Sequence, residues 1–101
     1  MSVNIDLHLS VSGLADQDEA EQVLGALAGL LREEGIEDEV PIGWVDDRGE
    51  YFVTGESRYA LSISRFYRWR PAFEEAVARV VGDAVPAAKP TVTWGYPDEE
   101  D

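Results

Sequence analysis

The chain of 101 residues predicts an α+β fold: a single two-layer sandwich, with two helices packed on one face of a mainly antiparallel sheet of four to five strands. Three observations predict it. Residues 2–12, SVNIDLHLSVS, alternate apolar and polar side chains with the period of a half-buried strand. Two later stretches repeat apolar residues at helical spacing. Between those stretches the chain is rich in β-branched and aromatic residues, broken by Gly and Asp, as in a meander of short strands. The length holds one hydrophobic core and no second one, so residues 1–97 are read as one domain and 98–101 as an acidic tail.

In the first strand Val3, Ile5, Leu7, Leu9 and Val11 fall on one face, and Asn4, Asp6, His8 and Ser10 on the other. The segment DQDEAEQVLGALAGLLREEG then puts Ala20, Val23, Leu24, Leu27, Leu30 and Leu31 on one helical stripe. Asp16 is placed to cap that helix, Asp18 and Glu19 suit its positive end, and Gly35 suits a left-handed stop. VPIGWV reads as a short strand or ordered loop, DDRG as a turn, EYFVT as a strand, GES as a turn, and RYALSISRF as a longer strand with Tyr59, Leu61 and Ile63 on one side. Pro71 fits the first position of a second helix, whose stripe is Phe73, Ala76, Val77, Val80 and Val81 and whose end is Gly82. AVPAAKP is a connector, and TVTWGY is a last strand with Val92, Trp94 and Tyr96 on one face. Strand, helix, meander, helix, strand is the order of a ferredoxin-like split β-α-β arrangement. It leaves the polar sheet face, with Asn4, Asp6, His8, Ser10, Ser62 and Ser64, uncovered.

Charge narrows the partners. With 21 acidic against 8 basic residues the net charge is −13, so the field of the molecule repels phosphate backbones and disfavours nucleic acid. The same field steers a basic protein inward, and it also serves solubility. No stretch approaches the apolar length of a membrane span. The opening MSVNIDLHLS lacks the basic and apolar regions of a signal peptide, and the chain has no cysteine, which suits a reducing compartment; the expected address is the cytoplasm.

Candidate chemistry is sparse. His8, the sole histidine, shares a strand face with Asp6. A carboxylate-oriented general base is the sharp reading, but no nucleophile or ligand set accompanies it, so a solvated surface histidine is expected. Gly25 and Gly29 form a GxxxG at helical spacing, read as permitting close packing. The acidic runs at 37–39, 46–47, 74–75 and 98–101 lack the spacing of a calcium loop. No metal, cofactor or catalytic residue is expected.

Against the acidic background stands RFYRWRP at 65–71, and five of the eight basic residues lie between Arg48 and Arg70. The run reads chiefly as structure, with rings packing where strand meets helix and the arginines pairing with carboxylates or stacking. Because arginine and aromatic residues dominate protein interfaces, Arg65, Arg68, Trp69 and Arg70 are also candidate partner contacts. A small acidic α+β domain carrying SISRFYRWRPAFEEAV and closing on VTWGYPDEED resembles the bacterial immunity proteins that accompany polymorphic toxins. The resemblance covers Arg58 to the C-terminus. It implies a non-enzymatic protein that binds one cognate toxin domain and blocks its active site or substrate groove, and the acidic charge of this chain points to a basic partner. On that reading GWVDDRGEYF contributes Trp44, Asp46, Asp47, Glu50 and Tyr51 around one exposed turn, and the protein is a monomer or weak homodimer. The alternatives are a ferredoxin-like ligand-binding or regulatory homodimer and a small enzyme using His8 and Asp6.

Overall fold

A computed structural model describes residues 2–96; the acidic tail predicted at 98–101 lies outside them. The elements are β1 (Ser2–Leu14), α1 (Gln17–Glu33), β2 (Ile42–Asp47), β3 (Glu50–Glu56), β4 (Leu61–Ser64), α2 (Phe66–Ala84) and β5 (Lys89–Gly95). The predicted sandwich is what forms: α1 and α2 cover one face of a five-stranded antiparallel sheet.

Hydrogen-bonded neighbours run β2–β3–β1–β4, and β5 also pairs with β1. Register places them more closely. Strand β3 meets β1 through His8 and Glu56, and β4 meets it through Ile5 and Leu61, a slip of only two residues. Between them the Ser57 N–H donates to the Leu7 carbonyl at 2.9 Å, so the ladder continues along the same edge of β1. Strands β3 and β4 are therefore one strand interrupted at 57–60, and β5, which spans Asp6–Ser12, holds the other edge. At the interruption the buried Ser57 Oγ accepts from the Leu7 N–H at 3.1 Å, so a hydroxyl takes the place of a missing carbonyl and no buried donor is orphaned.

The alternation of β1 decides the two faces. Ile5, Leu7, Leu9 and Val11 are buried under the helices, with Val23, Leu27 and Leu31 from α1 and Phe73, Val77 and Val81 from α2. Asp16 caps α1 as predicted: its Oδ1 accepts from the Glu19 N–H at 2.9 Å, and Glu19 Oε1 in turn accepts from the Ala15 N–H at 2.8 Å. At the other end Gly35 has φ 76°, and the Gly35 and Ile36 N–H groups bond back to the Arg32 and Leu31 carbonyls, a Schellman stop. Gly13 is equally constrained: its φ is 78°, and a Cβ there would lie 2.9 Å from the Ala87 carbonyl oxygen.

Five local expectations are corrected. Helix α2 begins at Phe66, so Pro71 lies inside it and RFYRWR forms its entry. The missing N–H of Pro71 leaves the Tyr67 carbonyl without its helical partner, at a residue that is 72% exposed and where water can reach. The helix runs through Gly82 to Ala84. Gly55 and Glu56 belong to β3, and Tyr59 lies outside any strand and is exposed. Finally, a Cβ added at Gly25 or Gly29 would meet nothing within 4 Å, so their spacing serves no close packing.

Candidate functional site

The candidate residues fall into groups at opposite ends of the sheet. Tyr51 pairs with Leu14 at one end of β1, and Ser64 pairs with Ser2 at the other. Twelve residues of strand separate them, about 40 Å, in a molecule whose longest dimension is 41 Å. The hairpin residues Trp44, Asp46, Asp47, Glu50 and Tyr51 therefore share no surface with Arg65 and Arg68 at the entry to α2.

At the hairpin end, the predicted DDRG turn is tighter than expected. Asp47 pairs with Glu50, and the loop is Arg48–Gly49 alone, with φ 54° and 88°; two left-handed residues make the type I′ turn that suits hairpin twist. Asp46 and Asp47 are the last residues of β2. Asp46 Oδ1 accepts from the Gly49 N–H at 3.0 Å, while Asp47 and Glu50 are exposed. Trp44 and Tyr51 face the helices, half-buried against the core, with ring centroids 6.0 Å apart. They act as struts of the hairpin rather than projecting anchors.

The arginine-aromatic run divides by helical phase. Phe66 is buried, and Trp69 stacks on Phe73 with centroids 4.6 Å apart and planes at 19°. The edge of Trp94 meets Phe66, Trp69 and Phe73. Glu74 Oε2 accepts from Trp94 Nε1 at 2.7 Å and from Arg70 Nε at 3.3 Å, and Arg70 Nη1 donates to the Tyr96 hydroxyl at 2.9 Å. The Arg70 guanidinium also lies 5.8 Å from the Trp94 ring centroid. Trp69 and Arg70 thus seam α2 to β5, which is the structural role read from the sequence. Arg65, Tyr67 and Arg68 stay exposed, and Arg65 takes a left-handed conformation with no side-chain cap bond.

A third surface joins residues that sequence distance hides. On the uncovered face, register aligns Thr93, His8 and Glu56, and beside them Thr91, Ser10 and Thr54. His8 Nε2 is 3.7 Å from Glu56 Oε1, both side chains more than half exposed. The carboxylate nearest the imidazole thus comes from β3 across the ladder, not from Asp6 along its own strand. His8, Ser10, Gly43, Thr54 and Glu56 line an open pocket of about 470 Å³. The alternation of EYFVTGE was the available signal for Thr54 and Glu56; which strand they would oppose was not in the sequence. Among the described residues no group of three potential ligands gathers as a metal site, and no helix is long and apolar enough to cross a membrane.

No family model and no curated protein matches this sequence. Solved structures do match in shape. A de novo designed protein, Foldit4, superposes with a TM-score of 0.66 at 9% identity, covering 90% of this chain and 94% of its own. A dimeric ferredoxin-like protein from an uncultured marine organism gives 0.60 at 12% identity, over 97% and 99%. A conserved protein of unknown function from Bacteroides thetaiotaomicron, described as a possible oxidoreductase, gives 0.51 at 15% identity, over 95% and 99%. Identities this low carry the architecture and nothing of the chemistry. In its strand order, its two helices on one face and its likeness to these structures, the chain has the ferredoxin-like fold.

Proposed function

We propose that this chain is a non-catalytic protein that binds a basic cognate protein and neutralises it by occupying its active site or substrate groove, the role implied by its resemblance to immunity proteins. One observation carries the reading: carboxylates from three segments gather at the hairpin end. Tyr51 is the register partner of Leu14, so Asp46, Asp47 and Glu50 lie at the same end of the sheet as Asp16, Asp18 and Glu19 at the start of α1. On a chain of net charge −13, this end approaches a basic groove first and presents it with phosphate-like charge. The test is titration calorimetry with the protein domains encoded by the genes on either side of this chain's own. Binding that weakens as salt rises supports the role; absence of binding at low salt removes it.

A second reading, a ligand-binding or regulatory homodimer, is favoured by the uncovered sheet face and its pocket. The marine structure of the same fold is described as dimeric, and the hydroxyls of Ser10, Thr54, Thr91 and Thr93 at the centre of this face can be covered at a smaller desolvation cost than charged groups. Sedimentation across a wide concentration range distinguishes the two: a dimer disrupted by Thr93→Arg supports this second role, and a persistent monomer excludes it.

A further inference from the structure

The two edges of the sheet differ in what their backbones offer. The Ser57 N–H bonds to Leu7, so odd-numbered residues of this strand direct their N–H and C=O groups toward β1, and Glu50, Phe52 and Thr54 direct theirs toward β2. The facing residues of β2 are Asp47, Val45 and Gly43. Ile42, Trp44 and Asp46 consequently turn their backbone N–H and C=O groups outward, where among the described residues β2 has no second neighbouring strand. The same parity runs through β1 to β5, whose outward residues are Pro90, Val92 and Trp94. Proline removes a donor from that edge, whereas β2 contains none.

Charge says which strand the β2 edge accepts. Exposed Asp38 and Glu39 precede β2, and exposed Asp46 and Asp47 end it. An antiparallel second copy would bring Asp46 and Asp47 to the end of the pair where Asp38 and Glu39 of its mate lie, so like charges oppose edge-to-edge self-pairing. An extended segment rich in lysine or arginine meets attraction at both ends instead, and gains main-chain hydrogen bonds between them.

We propose that the free edge of β2 is a strand-addition site for an extended basic segment of the partner protein, with Ile42, Trp44 and Asp46 supplying the backbone bonds and Asp38, Glu39, Asp46 and Asp47 the charge. This deepens the basic-partner reading and rests on it. The test titrates the whole chain, labelled for amide NMR, with a short synthetic peptide alternating lysine and valine. The Ile42, Trp44 and Asp46 amides shift and gain protection from exchange, while those of Gly43 and Val45, already bonded to β3, keep theirs. The same peptide methylated at its backbone nitrogens retains its charge and loses about tenfold in affinity. Ile42→Pro removes an outward donor and no ladder bond, and it weakens the peptide with the fold intact. Equal binding of methylated and unmethylated peptides, or shifts confined to the hairpin tip, overturns strand addition and leaves the basic-partner reading standing. No binding by either peptide overturns strand addition too, and calorimetry with the cognate domain then tests the basic-partner reading separately.

Discussion

The indole N–H of Trp69 donates to Glu34 Oε1 at 2.7 Å across 35 positions of sequence, tying the entry of α2 to the end of α1. Its acceptor lies at the surface, so the net gain is modest. Trp69→Phe and Glu34→Ala should each destabilise the protein, and a double-mutant cycle should show a coupling of about 0.5–1 kcal/mol. Additive losses in urea unfolding would mean that the bond contributes nothing beyond packing.

Phe73 is the firmer anchor. It is 1% exposed and lies between the Trp69 face and the Trp94 edge. Phe73→Ala removes a ring from the seam of α2 with β5 and should cost about 3–5 kcal/mol, read as a lowered thermal midpoint. An unchanged midpoint would mean that the helix packs through another face.

How much of this was legible depended on whether the deciding partner was local. The alternation of β1, the Asp16 cap and the Gly35 stop each rest on residues within a few positions, and each was readable. The sequence places the start of α2 too late because Pro71 matches a first-turn signal, although Phe66 and Trp69 ahead of it are already in helical spacing with Phe73 beyond it. Tertiary packing of those rings outweighs the cost of an interior proline. The break at 57–60 was read two residues early, as a turn at GES, but its repair could not be read, since the Ser57 hydroxyl bonds Leu7, 50 positions away. The placement of the candidate residues was hidden for the same reason. Residue types at the hairpin and at the arginine run were visible, but their separation to opposite ends is fixed by pairing register.

The misread glycines give a stability test. Gly25 and Gly29 lie within α1 with open space where a Cβ would go, and they lose backbone entropy without any packing return. Gly25→Ala and Gly29→Ala should each stabilise the protein by about 0.5–1 kcal/mol, measured by denaturant midpoint. Destabilisation would reveal a contact to these positions that the isolated chain does not make.

The last test separates folding from binding at one cross-strand pair. Asp47 and Glu50 stand directly opposite each other at the hairpin end, two carboxylates where an opposite-charge pair would stabilise the ladder. Asp46 is the poorer choice for mutation, because its Oδ1 holds the Gly49 N–H of the turn. Asp47→Lys keeps that bond and turns the repulsion into attraction, so the hairpin should gain a few tenths of a kcal/mol, about the scale of one exposed cross-strand ion pair. If the hairpin end steers a basic partner, the same substitution should slow association, because a positive charge now meets the partner at its approach surface. Stopped-flow mixing should show the difference at low salt and show it shrinking as salt rises. A variant that is more stable and slower to bind would identify the Asp47–Glu50 pair as charge kept for recognition at a cost in stability. A variant that binds as fast as the original chain would move the recognition surface away from the hairpin.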